Sequence, residues 1–218
     1  MNGWIIMLNA FVVVIALLAL PASASAMEPA WKTCDSCHGE NGYSTDPNTP
    51  ILGGMNAYYL KDALMQYIRL RRPDPAQAHA KLDRKILPQL AQRYAELPWK
   101  SAPMEKQGIN PQRAADGYGM MAKCERCHKN GGQEQYDDNP RLAGQWLPYL
   151  IGRIKAFHAP NSTLEQPHKM REFMQVWSAD EVESIAHGFA SMAYPELANK
   201  LRETPKEKSL FDKFKSMF

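Results

Sequence analysis

Two short stretches decide how this chain is read: Cys34-Asp-Ser-Cys37-His38 and Cys124-Glu-Arg-Cys127-His128. Both are Cys-x-x-Cys-His, and thiols three positions apart share one helical turn. From there each thiol can add to one vinyl group of the same haem, while the adjacent imidazole points at the iron. Cys34, Cys37, Cys124 and Cys127 therefore read as attachment points for two covalently bound haem c groups. His38 and His128 read as the proximal iron ligands. A zinc site would need the two halves to combine around one metal, and a thiol-redox motif would follow a strand. Neither suits two motifs that each sit inside a complete repeat.

The repeat is visible along the whole body of the chain. Cys34 and Cys124 lie 90 positions apart, and at that offset Pro50 meets Pro140, Leu52 meets Leu142, Gly54 meets Gly144, Tyr59 meets Tyr149 and Leu60 meets Leu150. Further on, Tyr94-Ala-Glu-Leu97 meets Phe189-Ala-Ser-Met192 at an offset of 95, so the second copy is longer in the loop before its last helix. Apolar residues at helical spacing predict helices over 56–72 (Tyr59, Leu60, Ala63, Leu64, Tyr67, Ile68) and over 145–157 (Leu147, Leu150, Ile151, Ile154, Phe157). Each repeat ends on a further stripe: Leu87, Leu90, Ala91, Tyr94 and Leu97 in the first, Val182, Ile185, Ala186 and Phe189 in the second. Ser178-Ala-Asp-Glu181 is a capping box that starts the latter. No convincing strand is visible, and the fold class is all-α.

The remaining segments set the boundaries. Residues 1–26 carry no charged side chain, and Ala24-Ser25-Ala26 ends them with small residues, as a signal peptide does. The apolar stretch is long and lacks Lys or Arg before it, so an uncleaved membrane anchor is the alternative. Either way the body is exported, and the periplasm is the expected location. Residues 27–100 form domain one, 101–116 a linker with two prolines and Gly108, 117–197 domain two, and 198–218 a basic amphipathic tail. The net charge of +3 equals the excess carried from Lys200 to the C-terminus. A neutral body without a clustered basic face argues against nucleic acid. Membrane association would run through residues 1–26 or the tail.

The sixth iron ligand sets the redox character: methionine raises the potential and a second histidine lowers it, while an open position permits chemistry. Repeat two offers Met170, with Met174 as the alternative, and also His158 and His168. Repeat one has no methionine between Met65 and Met104. In its loop the candidate strong ligand is His79. A surface His79 with an open iron is the competing reading.

On these motifs, with Pro50-Ile-Leu-Gly-Gly54, Asn139-Pro-Arg-Leu-Ala-Gly-Gln145, Tyr59-Leu60 and Tyr149-Leu150, the chain resembles the tandem class I dihaem cytochromes c, most closely the cytochrome c4 family. The resemblance runs from about Pro29 to Leu197. It implies two class I cytochrome c domains related by a pseudo-twofold, with haem propionates near the interface. It implies the carbonyls of Pro50 and Pro140 as acceptors for the proximal imidazole N–H, and Met170 as distal ligand of the second haem. The family's methionine position in repeat one falls on Pro75, which cannot bind iron.

The expected function is transfer of single electrons between redox protein partners: an oxidase, a reductase or a dehydrogenase. No catalytic residue stands out. Two alternatives remain, a haem enzyme with an open iron in domain one and an obligate cytochrome subunit of a dehydrogenase complex.

Overall fold

A computed structural model describes residues 24–74, 77–160, 162 and 168–203. Most of the expected signal segment and residues 204–218 of the expected tail lie outside the described residues. Nine helices are found among the described residues: α1 Ala24–His38, α2 Ala57–Ile68, α3 Leu87–Ala95, α4 Pro111–Met120, α5 Lys129–Gly132, α6 Leu147–His158, α7 His168–Met174, α8 Ala179–Ser191 and α9 Pro195–Glu203. No named strand occurs among the described residues; one isolated bridge joins Tyr136 to Asn139.

Each repeat is built the same way. A helix carrying or preceding the Cys-x-x-Cys-His motif packs on the repeat's last helix, and a middle helix closes the other side. α2 starts where Asn56 caps it, accepting from Tyr58 N at 2.7 Å and Tyr59 N at 3.2 Å. α8 starts on the full capping box of Ser178 and Glu181. The loops after the motifs also correspond in their hydrogen bonding. Leu52 N and Gly53 N both donate to the Gly42 carbonyl, and Leu142 N and Ala143 N both donate to the Gly132 carbonyl. Gly42 and its counterpart Gly132 have φ of 73° and 77°, the left-handed region that an L side chain resists.

The expected core stripes are buried, except that Leu97 is only partly so. Leu87, Leu90, Ala91 and Tyr94 close domain one, and Val182, Ile185, Ala186 and Phe189 close domain two. In domain two α4 crosses α8 so closely that a Cβ on Gly117 would come within 1.8 Å of the Ser184 carbonyl oxygen. In domain one the matching contact is aromatic: Trp31 of α1 stacks on Tyr94 at 4.9 Å, and both side chains donate to the Asp35 carboxylate, at 2.6 and 2.8 Å.

Two boundaries differ from the sequence reading. Residues 111–116, assigned to the linker, are helical. Asn110 caps α4, accepting from Gln112 N and Arg113 N, and Pro111 takes a first-turn position where its missing N–H costs nothing. Packing also continues past residue 197. Ala198 and Leu201 of α9 are buried in the domain-two core, so the first part of the segment assigned to the tail belongs to the folded domain.

Glutamines join the repeats. The Gln145 side chain accepts from Ile51 N at 2.9 Å and donates to Ile51 O at 3.0 Å. The Gln135 side chain accepts from Asn56 N and donates to Gly54 O, both at 2.8 Å. Gln107, from the linker, donates to Gln145 O and accepts from Leu147 N. Trp146 is buried between the repeats with its ring N–H on the Ser44 carbonyl at 3.0 Å. Truncating Gln145 to alanine strands two buried backbone groups of Ile51, each costing about 1–3 kcal/mol. Gln145→Ala is expected to lower stability by about 2–4 kcal/mol, read from the denaturant midpoint of the holoprotein. A loss below about 1 kcal/mol would mean that water replaces the clamp.

Candidate haem-binding sites

The first motif sits at the C-terminal end of α1, and the second on a tight 3₁₀ turn, Met121–Arg126, that follows α4. In both, the first cysteine is half-buried and the second exposed, and all four thiols are unbridged. Burial pushes the Cys34 thiol above its ordinary pKa and Cys124 up to about 11. Such thiols are protonated at neutral pH, the opposite of what thiol-redox chemistry needs. Among the described residues no group of three His, Cys, Asp or Glu side chains gathers as a bare metal site, and the two motifs do not combine around a common centre.

His38 is buried, and its Nδ1 lies 2.9 Å from the Pro50 carbonyl oxygen. That contact fixes the ring and leaves Nε2 as the nitrogen that could bind an iron. Burial lowers the His38 pKa, with the Pro50 carbonyl opposing. His128 is buried likewise, and burial lowers its pKa to about 4. The Pro140 carbonyl acts on this ring as an acceptor, but neither ring nitrogen reaches full hydrogen-bond geometry within the protein. Two buried imidazoles held neutral, one with both nitrogens unsatisfied, are a donor set that fits haem iron.

The loop after α2 brings His79 opposite His38. Their ring centroids are 6.1 Å apart and inclined at 64°. Two imidazoles on opposite sides of one metal, each bound through nitrogen at about 2 Å, hold their centres roughly 6 Å apart. His79 is fixed from behind. Tyr67 stacks on it at 4.5 Å, and the Asp74 carboxylate accepts from the His79 backbone N–H at 2.9 Å and lies 3.2 Å from Nδ1, short of full hydrogen-bond geometry. The sequence points to His79 by position alone; no local signal in it marks Tyr67 and Asp74 as the supports of that ring.

In the second repeat Met170 and Met174 both lie on α7, one turn apart. Met174 is fully buried in the core, while Met170 is partly buried against the same cluster, which takes in Cys124, Leu142 and Phe157. His158 is committed elsewhere, its Nε2 2.9 Å from the Trp177 carbonyl. The side chain of His168 lies outside the described residues.

No protein-family model matches the chain. It is 29% identical over 154 residues to a thiosulfate dehydrogenase electron acceptor of Thiomonas intermedia (strain K12), a match covering 64% of this chain and 69% of that protein. A thiosulfate dehydrogenase electron acceptor of Stutzerimonas stutzeri (strain A1501) is 25% identical over 182 residues, 77% of this chain and 82% of that protein. Among solved structures, cytochrome c4 of Acidithiobacillus ferrooxidans aligns with a TM-score of 0.60 at 25% identity, covering 73% of this chain and 98% of that one.

Proposed function

We propose that this chain, which is similar to the dihaem cytochromes of the cytochrome c4 kind, is the periplasmic electron acceptor of a thiosulfate-oxidising dehydrogenase. The protein is an electron carrier with two covalently bound haem c groups. Haem iron supplies a one-electron ferric/ferrous couple when bound; the chain supplies the ligands, the burial and the link between the two sites.

In this reading Cys34 and Cys37 hold haem one and Cys124 and Cys127 hold haem two. His38 and His79 bind the first iron, His128 and Met170 the second. Pro50 and Pro140 orient the proximal rings, and Asp74 and Tyr67 orient the distal one. The observation that carries the reading is the pair of facing rings, His38 and His79, at 6.1 Å. Unequal distal ligands make the two potentials unequal, with haem two the higher. An electron entering at haem one would then run downhill to haem two. The partner is inferred from the two relatives named for the thiosulfate dehydrogenase they serve. Among the described residues no helix is long and apolar enough to cross a membrane.

Stopped-flow mixing tests the partner. The oxidised holoprotein, combined with a thiosulfate dehydrogenase and thiosulfate, is expected to show growth of the reduced haem α-band within seconds. No growth is expected without the dehydrogenase. Failure to be reduced by that mixture, in a sample that dithionite reduces fully, would contradict the assignment.

A further inference from the structure

The residue after the first cysteine is acidic in both motifs, Asp35 in one and Glu125 in the other. Each carboxylate accepts from a backbone N–H six residues further on. Asn41 N donates to Asp35 at 3.2 Å, and Gly131 N donates to Glu125 at 3.1 Å. Their surroundings then differ. Glu125 is exposed, whereas Asp35 is half-buried. Asp35 also accepts from Trp31 Nε1 at 2.6 Å and from the Tyr94 hydroxyl at 2.8 Å. The corresponding positions of repeat two hold Met121 and Phe189, whose side chains have no such donor.

The three donors around Asp35 are neutral groups. They hold its carboxylate in place without cancelling the charge. The ion pairs found among the described residues do not include Asp35. Arg93 covers the outer face of the Trp31 ring, 3.1 Å from its centroid, and donates from Nη2 to Asn41 Oδ1 at 3.3 Å. That places the guanidinium on the two donors rather than on the carboxylate. Trp31 and Tyr94, stacked at 15°, form a wall between Asp35 and water, and Tyr94 is buried.

Asp35 also stands beside the first haem site. It follows Cys34 directly, and Tyr94 packs in one apolar cluster with Cys34. The inference rests on the reading above, in which Cys34 anchors haem one.

We propose that Asp35, held by Trp31, Tyr94 and Asn41, is a fixed negative charge beside haem one that lowers its midpoint potential and widens the gap between the two haems. A negative charge favours ferric iron, which carries one positive charge more than ferrous. Glu125 has the same sign and the same place in its motif, but it stands in water, where a charge is screened. Charge and distal ligand therefore act in the same direction, and both make haem one the lower-potential site. A unit charge roughly 12 Å away at an effective permittivity of about 20 shifts such an equilibrium about tenfold.

The test is spectroelectrochemical titration of the holoprotein and its variants at neutral pH. Two haems per chain in the unmodified protein, counted as the pyridine haemochrome, test the underlying reading separately. Asp35→Asn is expected to raise the haem-one midpoint, so that its ferric/ferrous ratio at fixed applied potential falls about tenfold, or about 59 mV for a one-electron couple. Haem two should not move. Asp35→Ser removes the same charge and stands in if Asp35→Asn does not load haem. Asp35→Glu keeps the charge and is expected to leave the haem-one potential near its original value, a result that loss of packing alone would not give. Glu125→Gln is expected to change the haem-two ratio less than about twofold. The Asp35→Asn shift should persist at high salt, because a shielded charge is screened little. No rise at haem one with both haems in place, a rise that Asp35→Glu reproduces, or an equal shift from Glu125→Gln at haem two overturns the assignment.

Discussion

Replacing His79 with alanine is expected to convert the first haem from six-coordinate low-spin to five-coordinate high-spin, with the second haem unchanged. The reason is geometric. His79 faces His38 at 6.1 Å, and the surrounding loop is arranged to hold it, with Tyr67 on one ring face and Asp74 at Nδ1. An internal ligand that is off the metal less than about 1% of the time weakens any incoming ligand about a hundredfold. Cyanide affinity at the first haem should therefore rise about a hundredfold in His79→Ala, and added imidazole should restore the low-spin spectrum. An unchanged spectrum and cyanide affinity would remove His79 from the iron. The structure would then have to supply another ligand, or an open site as the enzyme reading requires.

Gly117→Ala should have the largest effect on stability. Alanine normally favours a helix over glycine by about 1 kcal/mol. At this position the added Cβ would lie 1.8 Å from the Ser184 carbonyl oxygen and 2.4 Å from its carbon, both backbone atoms of α8. The helices must separate, and the contacts of Met121, Ile185 and Gly188 loosen with them. The expected loss is about 3 kcal/mol or more, measured by thermal or denaturant unfolding of the holoprotein. Gly119→Ala is the internal control. It lies on the same helix, and a Cβ there would meet nothing within 4 Å, so it should be neutral or stabilising by about 0.5–1 kcal/mol. Equal losses at the two positions would mean that α4 and α8 do not cross at Gly117.

Much of this fold can be read from spacing. The 90-residue offset pairs residues whose backbones adopt the same conformation, as Gly42 and Gly132 do. The capping box at Ser178 and the apolar stripe behind it place α8 correctly, because both signals are local. Where sequence and structure differ, local signals compete. Asn110-Pro111 is a helix start, yet two prolines and a glycine between residues 101 and 116 also read as linker; the cap decides it once α8 is there to pack against. A domain-two boundary at residue 197 falls too early because Ala198 and Leu201 are sparse apolar residues in a basic segment, and only their burial shows that they dock.

The candidate sites divide in the same way. Each Cys-x-x-Cys-His motif is covalent chemistry written in adjacent residues, so it needs no fold to be recognised. His79 can be found only by eliminating methionine from its loop. Its supports need the structure, since Tyr67 approaches from α2. The role of Gln145 depends on its contacts with Ile51 across the repeats. No periodicity within either repeat carries that information.

The central claim is that the two irons differ in their distal ligands. Low-temperature EPR with near-infrared magnetic circular dichroism on the oxidised holoprotein reads those ligands directly. One bis-histidine signal and one histidine–methionine signal in equal amounts are the predicted result. Two histidine–methionine signals, or a high-spin first haem in the unmodified protein, would contradict it.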